Sequence, residues 1–325
     1  MNELKRTNWG AEYDTRQSQY ADLRSEVDFA LGRALAPLKI HNYSVRIKTR
    51  VSFVEKIDRK RYTDPFSQMP DVVGGRIVCL FLGDLELVDG ILHDIFDVKN
   101  SEDKTATSPP DTFSYRSVHY ECMIKSDHKG PHYDSIKNLV FEIQVRTILQ
   151  DAWAVVEHTL AYKGPTSIPA ELRRDFSALV GLFHVADKTF QQLKNDIGES
   201  ENRAASEIDA GRIDQAESSG IAIAIDRSTL KGLLRHMYSE RAEAGDSDYS
   251  EFVEELSKFD ITSIGQLRIL LEAGRAEAAN EEYSNPPILE MRSNGRKEYD
   301  DVGFARASVD NSAQGFRDAR MARYF

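Results

Sequence analysis

Only two of the 325 residues are cysteine, Cys79 and Cys122, and their spacing does not suggest a zinc site. Both fall in apolar runs that read as buried strands, so structural thiols in a reducing compartment are expected. Long apolar runs are missing too: no stretch approaches the ~18 residues of a membrane span. The opening MNELKRTNWGAEYDTRQ has no apolar h-region of the kind a signal peptide carries. The expectation is a soluble, cytoplasmic protein that needs no membrane. Net positive charge is also lacking. A formal charge of −11 argues against a chain that coats nucleic acid non-specifically, although a local basic patch can still hold phosphates. No internal repeat is present.

What is there suffices for one sizeable core and a smaller second one, given 41% hydrophobic residues. Tyr20, Leu23, Val27, Ala30, Leu31 and Leu35 recur at helical spacing within a helix expected over 11–38. Tyr43, Val45 and Ile47 alternate with polar neighbours as in a strand. Ser52-Phe53-Val54-Glu55 fits a capping box, which places a helix start near Ser52. The apolar run 76–82 reads as a central strand, 84–95 as a helix, 98–112 as a loop, and 113–124 and 139–146 as strands separated by a hairpin-like DHKGPHYD. Mixed strands and helices predict an α/β or α+β sheet domain over 11–195. Residues 170–195 form a further amphipathic helix. The acidic, weakly periodic stretch 196–218 reads as a linker or a loosely packed helix. A small, mainly helical module over 219–280 follows, with helices at 226–238 and 249–273. The tail 281–325 is expected to be partly disordered or docked on another surface.

The segment Phe141-Glu142-Ile143-Gln144-Val145-Arg146-Thr147 is the most informative. Successive strand residues face opposite sides, so Phe141, Ile143 and Val145 enter a core while Glu142, Gln144 and Arg146 share the other face. In the helix expected next, Ala152, Val155, Val156 and Leu160 fall at helical spacing, with Trp153, Glu157 and His158 as the large polar or amphipathic members.

Three further clusters carry candidate chemistry. Arg46, Lys48, Arg50, Lys56, Arg59, Lys60 and Arg61 make a phosphate-sized basic patch, readable either as an anion site at a helix start or as a solvated helix face with Ser52 as an ordinary cap. Asp71, ahead of Gly74-Gly75-Arg76, is either a turn residue or a carboxylate that holds Mg²⁺ at the sheet edge together with Glu142. Tyr115, Ser117 and His119 share a strand face on which a base could stack, or else simply pack on a helix.

Taken together, these blocks resemble the RelA/SpoT alarmone synthetase family. The resemblance rests on Arg46, Lys48, Ser52 and Lys56, then Asp71, Gly74 and Arg76, then Tyr115, Arg116, Ser117 and His119. It continues with Glu142, Gln144, Arg146, Thr147, Trp153, Glu157, His158, Tyr162 and Lys163. It implies a nucleotidyltransferase-like mixed β-sheet flanked by helices, and an enzyme that moves the β,γ-pyrophosphate of ATP to a ribose 3′-hydroxyl. On that reading Arg46 and Arg76 sandwich adenine, and Lys48, Ser52 and Lys56 hold the ATP phosphates. Asp71 and Glu142 bind Mg²⁺, and Glu142, with Gln144 beside it, takes the proton of the attacking hydroxyl. Tyr115, Arg116, Ser117, His119 and Arg146 serve the acceptor.

The family glycine before the tyrosine is Ser114 here, and Pro109-Pro110-Asp111-Thr112-Phe113 replaces the family's preceding stretch. This leaves three readings: synthesis of (p)ppGpp from ATP and GDP or GTP, transfer to the 3′ end of tRNA or to an adenosine nucleotide by a toxic relative, and nucleotide sensing without turnover. An RNA acceptor would call on Arg173-Arg174 or Arg59–Arg61. Partners from relatives of this kind would be a second copy of the chain or an antitoxin. The C-terminal region would dock on the synthetase domain or a partner and control access. A hydrolase domain is not expected, since His93-Asp94 stands without the further ligands such a metal site requires.

Overall fold

A computed structural model describes residues 3–103, 117–160, 169–209, 222–287 and 298–321. The chain divides into two compact units, Met1–Gln192 and Leu193–Phe325. The first holds helices α1 (Glu3–Thr15) and α2 (Gln17–Leu35), strand β1 (Asn42–Ile47), α3 (Arg50–Lys60), the short α4 (Pro65–Gln68) and β2 (Val73–Cys79). Then come α5 (Gly83–Ile95), β3 (Phe96–Asp103), β4 (Val118–Ile124), the short α6 (Pro131–Asp134), β5 (Phe141–Thr147) and α7 (Ile148–Leu160).

The five strands form one mixed sheet in the order β1-β2-β5-β4-β3, with only β2 and β5 parallel. Strand alternation sorts its faces. Val45, Ile77, Ile143, Val145 and Tyr120 share a core with Leu23, Val27 and Leu31 of α2 and Val88 and Leu92 of α5. Each such aliphatic side chain, fully buried, contributes roughly 1.5–3 kcal/mol. The register sets polar residues side by side on the other face: Ser44 against Arg76, Arg76 against Gln144, Gln144 against His119.

Several expected elements shift. The helix expected over 11–38 is interrupted at Arg16 (φ −96°, ψ 1°), where α1 ends and α2 begins. Helix α3 starts at Arg50, capped by Thr49, whose side chain accepts from Ser52 N at 3.2 Å. Ser52 therefore sits inside the first turn and is not the cap. β2 starts at Val73, so Gly74, Gly75 and Arg76 lie within the strand. β3 extends to Asp103 through residues expected in a loop, because it pairs with β4 as far as Val118. Residues 104–116 lie outside the described residues.

Helix α7 buries the side that carries Trp153 rather than the one that carries Val155, Val156 and Leu160. Trp153 is 3% exposed and packs on Phe176 and Phe183, whereas Val155, Val156 and Leu160 are 56, 43 and 57% exposed. The large indole defines the packed side, since it brings the most apolar surface. Helix α8 (Arg173–Asp209) is continuous through 196–209, so that part of the acidic stretch is helical, while 210–218 lie outside the described residues; the division between the units falls within α8.

The second unit contains α9 (Arg227–Met237), α10 (Asp246–Lys258), α11 (Ile264–Ser284), α12 (Asp301–Ser312) and α13 (Phe316–Met321). The helix expected over 249–273 is two helices. Asp260 adopts φ 59°, and Ser263 caps a new start by accepting from Gln266 N. Apolar spacing runs through the break because Leu256, Ile261, Ile264 and Leu267 all enter one core. The tail is integral to that core: Val302, Phe304, Ala305, Val309 and Phe316 are buried in it. Arg241 ties it down, donating to Glu282 at 2.9 and 2.8 Å and to the Tyr299 carbonyl at 3.0 Å.

Candidate active site

The polar face of the sheet opens into a pocket of about 250 Å³. Ser44 and Arg46 line it from β1, Gly74, Gly75 and Arg76 from β2, and Glu142 and Gln144 from β5, with Asp71 at the mouth of β2. The register explains the opening. Gly74 stands between Arg46 and Glu142 in the sheet, so where any other residue would project a side chain, the floor is backbone.

Asp71 lies in the short turn before β2, and two lysines converge on its Oδ2: Lys48 Nζ at 2.9 Å and Lys56 Nζ at 2.8 Å. Lys48 follows β1 and Lys56 is on α3, so three separate segments meet at one carboxylate. Its Oδ1 is buried and accepts no hydrogen bond. Burial pushes the Asp71 carboxyl upward, but the hydrogen bonds and charges of Lys56 and Lys48 outweigh it and hold the group below its ordinary value.

Glu142 is held in a second network. Gln144 Nε2 donates to Glu142 Oε1 at 2.5 Å, and His119 Nδ1 lies 3.3 Å from the same oxygen. His119 Nε2 is 2.9 Å from Ser117 Oγ. Burial raises the Glu142 carboxyl, yet the bonds from His119 and Gln144 bring it below the usual range. Arg146 Nη2 donates to Gln144 Oε1, so the face expected to present a carboxylate, an amide and a guanidinium presents them as one hydrogen-bonded chain. Burial, and then the charge of Arg76, lowers the pKa of Arg146.

Of the residues expected in the site, Arg46, Asp71, Arg76, Glu142 and Gln144 line the pocket, Lys48 and Lys56 reach Asp71, and Ser117, His119 and Arg146 join the Glu142 network. Ser52 does not line it; its hydroxyl accepts from Thr49 Oγ1 at 3.0 Å. Tyr115, Arg116, Tyr162 and Lys163 lie outside the described residues. Two participants went unread in the sequence, Ser44 on the pocket wall and Asp151 in the first turn of α7, whose carboxylate meets both Arg76 and Arg146.

Among the described residues no group of three or more His, Cys, Asp and Glu side chains could hold a metal ion by itself. The pair of Asp71 and Glu142 suits a cation that completes its shell with substrate phosphates and water, as Mg²⁺ does. The orphaned Oδ1 of Asp71 fits that use.

Comparison with known proteins places the chain in a family. Residues 45–167 match the model of the region found in RelA / SpoT proteins. These residues form a RelA/SpoT domain. GTP pyrophosphokinase YwaC of Bacillus subtilis (strain 168) is 27% identical over 164 residues, 49% of this chain and 75% of that protein. GTP pyrophosphokinase YjbM of the same organism is 24% identical over 184 residues, 56% of this chain and 79% of that protein. The crystal structure of small alarmone synthetase 1 from Bacillus subtilis superposes with a TM-score of 0.50 at 24% identity, covering 58% of this chain and 98% of that one. The same synthetase bound to its product pppGpp gives 0.50 at 23% identity, covering 58 and 99%. The RelA/SpoT domain thus shares its fold with these proteins, and the chain is homologous to small alarmone synthetases over about half its length. No helix among the described residues is long and apolar enough to cross a membrane.

The lysine clasp on Asp71 predicts a pH signature. Unfolded Asp titrates near ~3.9, and the folded group titrates lower. The unfolded chain therefore binds more protons between the two values, so the contribution is complete above about pH 5 and is lost as pH falls through the folded value. Unfolding free energy measured by urea titration is expected to rise with pH across this acid window. Asp71→Asn should flatten the rise, and an unchanged slope would show that the clasp contributes nothing.

Proposed function

We propose that the chain is a pyrophosphokinase that transfers the β,γ-pyrophosphate of ATP to the 3′-hydroxyl of GDP or GTP, producing (p)ppGpp and AMP. The supporting observation is the convergence of Lys48 and Lys56 on Asp71 at a pocket that also holds Glu142 and the arginines Arg46 and Arg76. This is a charge-balanced arrangement with cations to spare for phosphates and carboxylates to spare for a metal. The homologous proteins being GTP pyrophosphokinases favours a guanosine acceptor.

In this reading Arg46 and Arg76, on neighbouring strands, grip the adenine between guanidinium planes. Lys48 and Lys56 neutralise Asp71 while the site is empty and turn to the ATP phosphates when these arrive, which releases the carboxylate. Asp71 and Glu142 would then hold Mg²⁺, which when bound supplies further neutralisation of phosphate charge. The acceptor 3′-oxygen attacks the β-phosphorus, the bond from that phosphorus to the oxygen bridging the α-phosphate breaks, and AMP leaves. Glu142 accepts the hydroxyl proton. Its depressed pKa keeps it ionised at neutral pH, and Gln144 and His119 fix the oxygen that they contact. Catalysis of this type rests on position and charge more than on covalent chemistry.

The test is a transfer assay with ATP labelled at the γ-phosphate, Mg²⁺, and GDP, GTP, AMP or bulk tRNA in separate reactions. Label on GDP or GTP with release of AMP is the expected result. Label on tRNA or AMP alone, or on nothing, would overturn the reading.

A further inference from the structure

We propose that Asp151 is a positioning residue that aligns both ends of the site, holding Arg76 for the donor nucleotide and, through Arg146 and Gln144, setting the orientation of Glu142. This rests on the pyrophosphokinase reading. The carboxylate Oδ1 of Asp151 lies 3.4 Å from Arg76 Nη1 and 3.3 Å from Arg146 Nη1. The two arginines come from adjacent parallel strands, with Arg76 opposite Gln144 and Arg146 two residues further along the same face. Without an anion between them, two like charges on one sheet face would push apart, and the more exposed one would swing into solvent. Arg76 is 40% exposed at the pocket, whereas Arg146 is 8% exposed.

The junction from β5 to α7 makes Asp151 rigid enough for this role. Thr147 N donates to Gln150 Oε1 at 2.9 Å, Gln150 N donates back to Thr147 Oγ1 at 3.1 Å, and Thr147 Oγ1 donates to Asp187 Oδ2 at 2.6 Å. The strand thus passes straight into the helix through a reciprocal cap, and the side chain of the first turn leans back over the strand end. A carboxylate there also suits the helix N-terminus. That alone would explain an acidic residue, but not one bridging two guanidiniums.

The consequence for Glu142 follows from the polarity of an amide. Gln144 can present either its oxygen or its NH₂ to Glu142. Because Arg146 Nη2 occupies Gln144 Oε1, the NH₂ is left to donate to Glu142 Oε1. With Arg146 released, Gln144 is anchored only through its NH₂, and its contact with the Glu142 carboxylate loses the fixed geometry that the second bond imposes. Asp151 therefore acts on Glu142 through three hydrogen bonds in series, by way of Arg146 and Gln144, and directly on Arg76.

Asp151→Asn and Asp151→Glu are the variants to make, compared with the parent for binding of a non-hydrolysable ATP analogue by calorimetry, for transfer kinetics and for Tm. Loss of a charge-assisted contact predicts that Asp151→Asn weakens analogue binding about tenfold and lowers kcat by a further few-fold, with Tm nearly unchanged. Asp151→Glu, which keeps the charge, should recover much of both. Binding and turnover like the parent in Asp151→Asn would overturn the proposal. So would equal losses in both variants tracking a lowered Tm, since that marks a purely structural residue. A parent that binds the analogue but transfers nothing to GDP or GTP would reject the pyrophosphokinase reading while the binding comparison still decides the role of Asp151. A parent that binds no analogue would overturn both.

Discussion

Glu142→Gln is expected to lower the turnover of pyrophosphate transfer by at least about a thousandfold, with little change in the stability of the first unit. The amide keeps the shape of the side chain and an oxygen able to accept from Gln144 and His119, so the network that surrounds it can persist. What disappears is the negative charge and the ability to take a proton. General-base contributions alone are about 10²–10⁴-fold, and loss of a carboxylate that in the proposed mechanism also holds Mg²⁺ would add to this. The measurement is kcat with saturating ATP and GDP, beside a thermal melt of both proteins. Turnover within about tenfold of the parent would remove Glu142 from the catalytic role, because a general base typically contributes about 10²–10⁴-fold.

Gly274→Ala should be the most damaging single methyl group in the second unit. A Cβ at this position would stand 1.8 Å from the Ser308 carbonyl oxygen and 2.7 Å from its carbon. Both atoms are backbone of α12, so no flexible side chain can yield, and α11 and α12 would have to separate. Their shared core includes Leu271, Ala278, Ala305 and Val309, all buried. Overpacking of side chains costs about 1–3 kcal/mol, and a backbone clash belongs at or beyond the upper end of that range. Urea titration followed by circular dichroism should show the second unit unfolding at a clearly lower midpoint. An unchanged midpoint would mean that the two helices do not meet at Gly274.

Exposure on α7 and α8 also calls for attention in solution work. Val155, Val156 and Leu160 on α7 and Leu179, Leu182 and Val185 on α8 are all more than 40% exposed. Periodicity sets Val155, Val156 and Leu160 together along α7, and the structure leaves them exposed. Trp153, which the pattern ranks among amphipathic residues, took the buried position against Phe176 and Phe183. A helical stripe tells which residues share a side but not which side finds a partner.

The amino-acid sequence determined by itself the alternation of β5, the apolar centre of the sheet, and the residue types and spacings that identify the RelA/SpoT blocks. These are local properties: strand period, helix period and motif order need no distant contact. It also implied that Glu142, Gln144 and Arg146 share a face, since strand geometry allows nothing else. Tertiary structure alone decided which groups meet. The lysine clasp on Asp71 joins the residue that follows β1, one from α3 and one from the turn before β2, and no local rule links them. Asp151 has no local feature that sets it apart from any acidic residue at a helix start, and only the placement of β2 and β5 brings Arg76 and Arg146 beside it. The same holds for Thr49, which displaced Ser52 as the cap of α3, and for the tail helices, whose apolar residues are too sparse to announce a core that only α9, α10 and α11 complete. Side-chain chemistry is written in the chain, but the pairing of charges depends on strand register and helix placement, and these are set by packing across the whole unit.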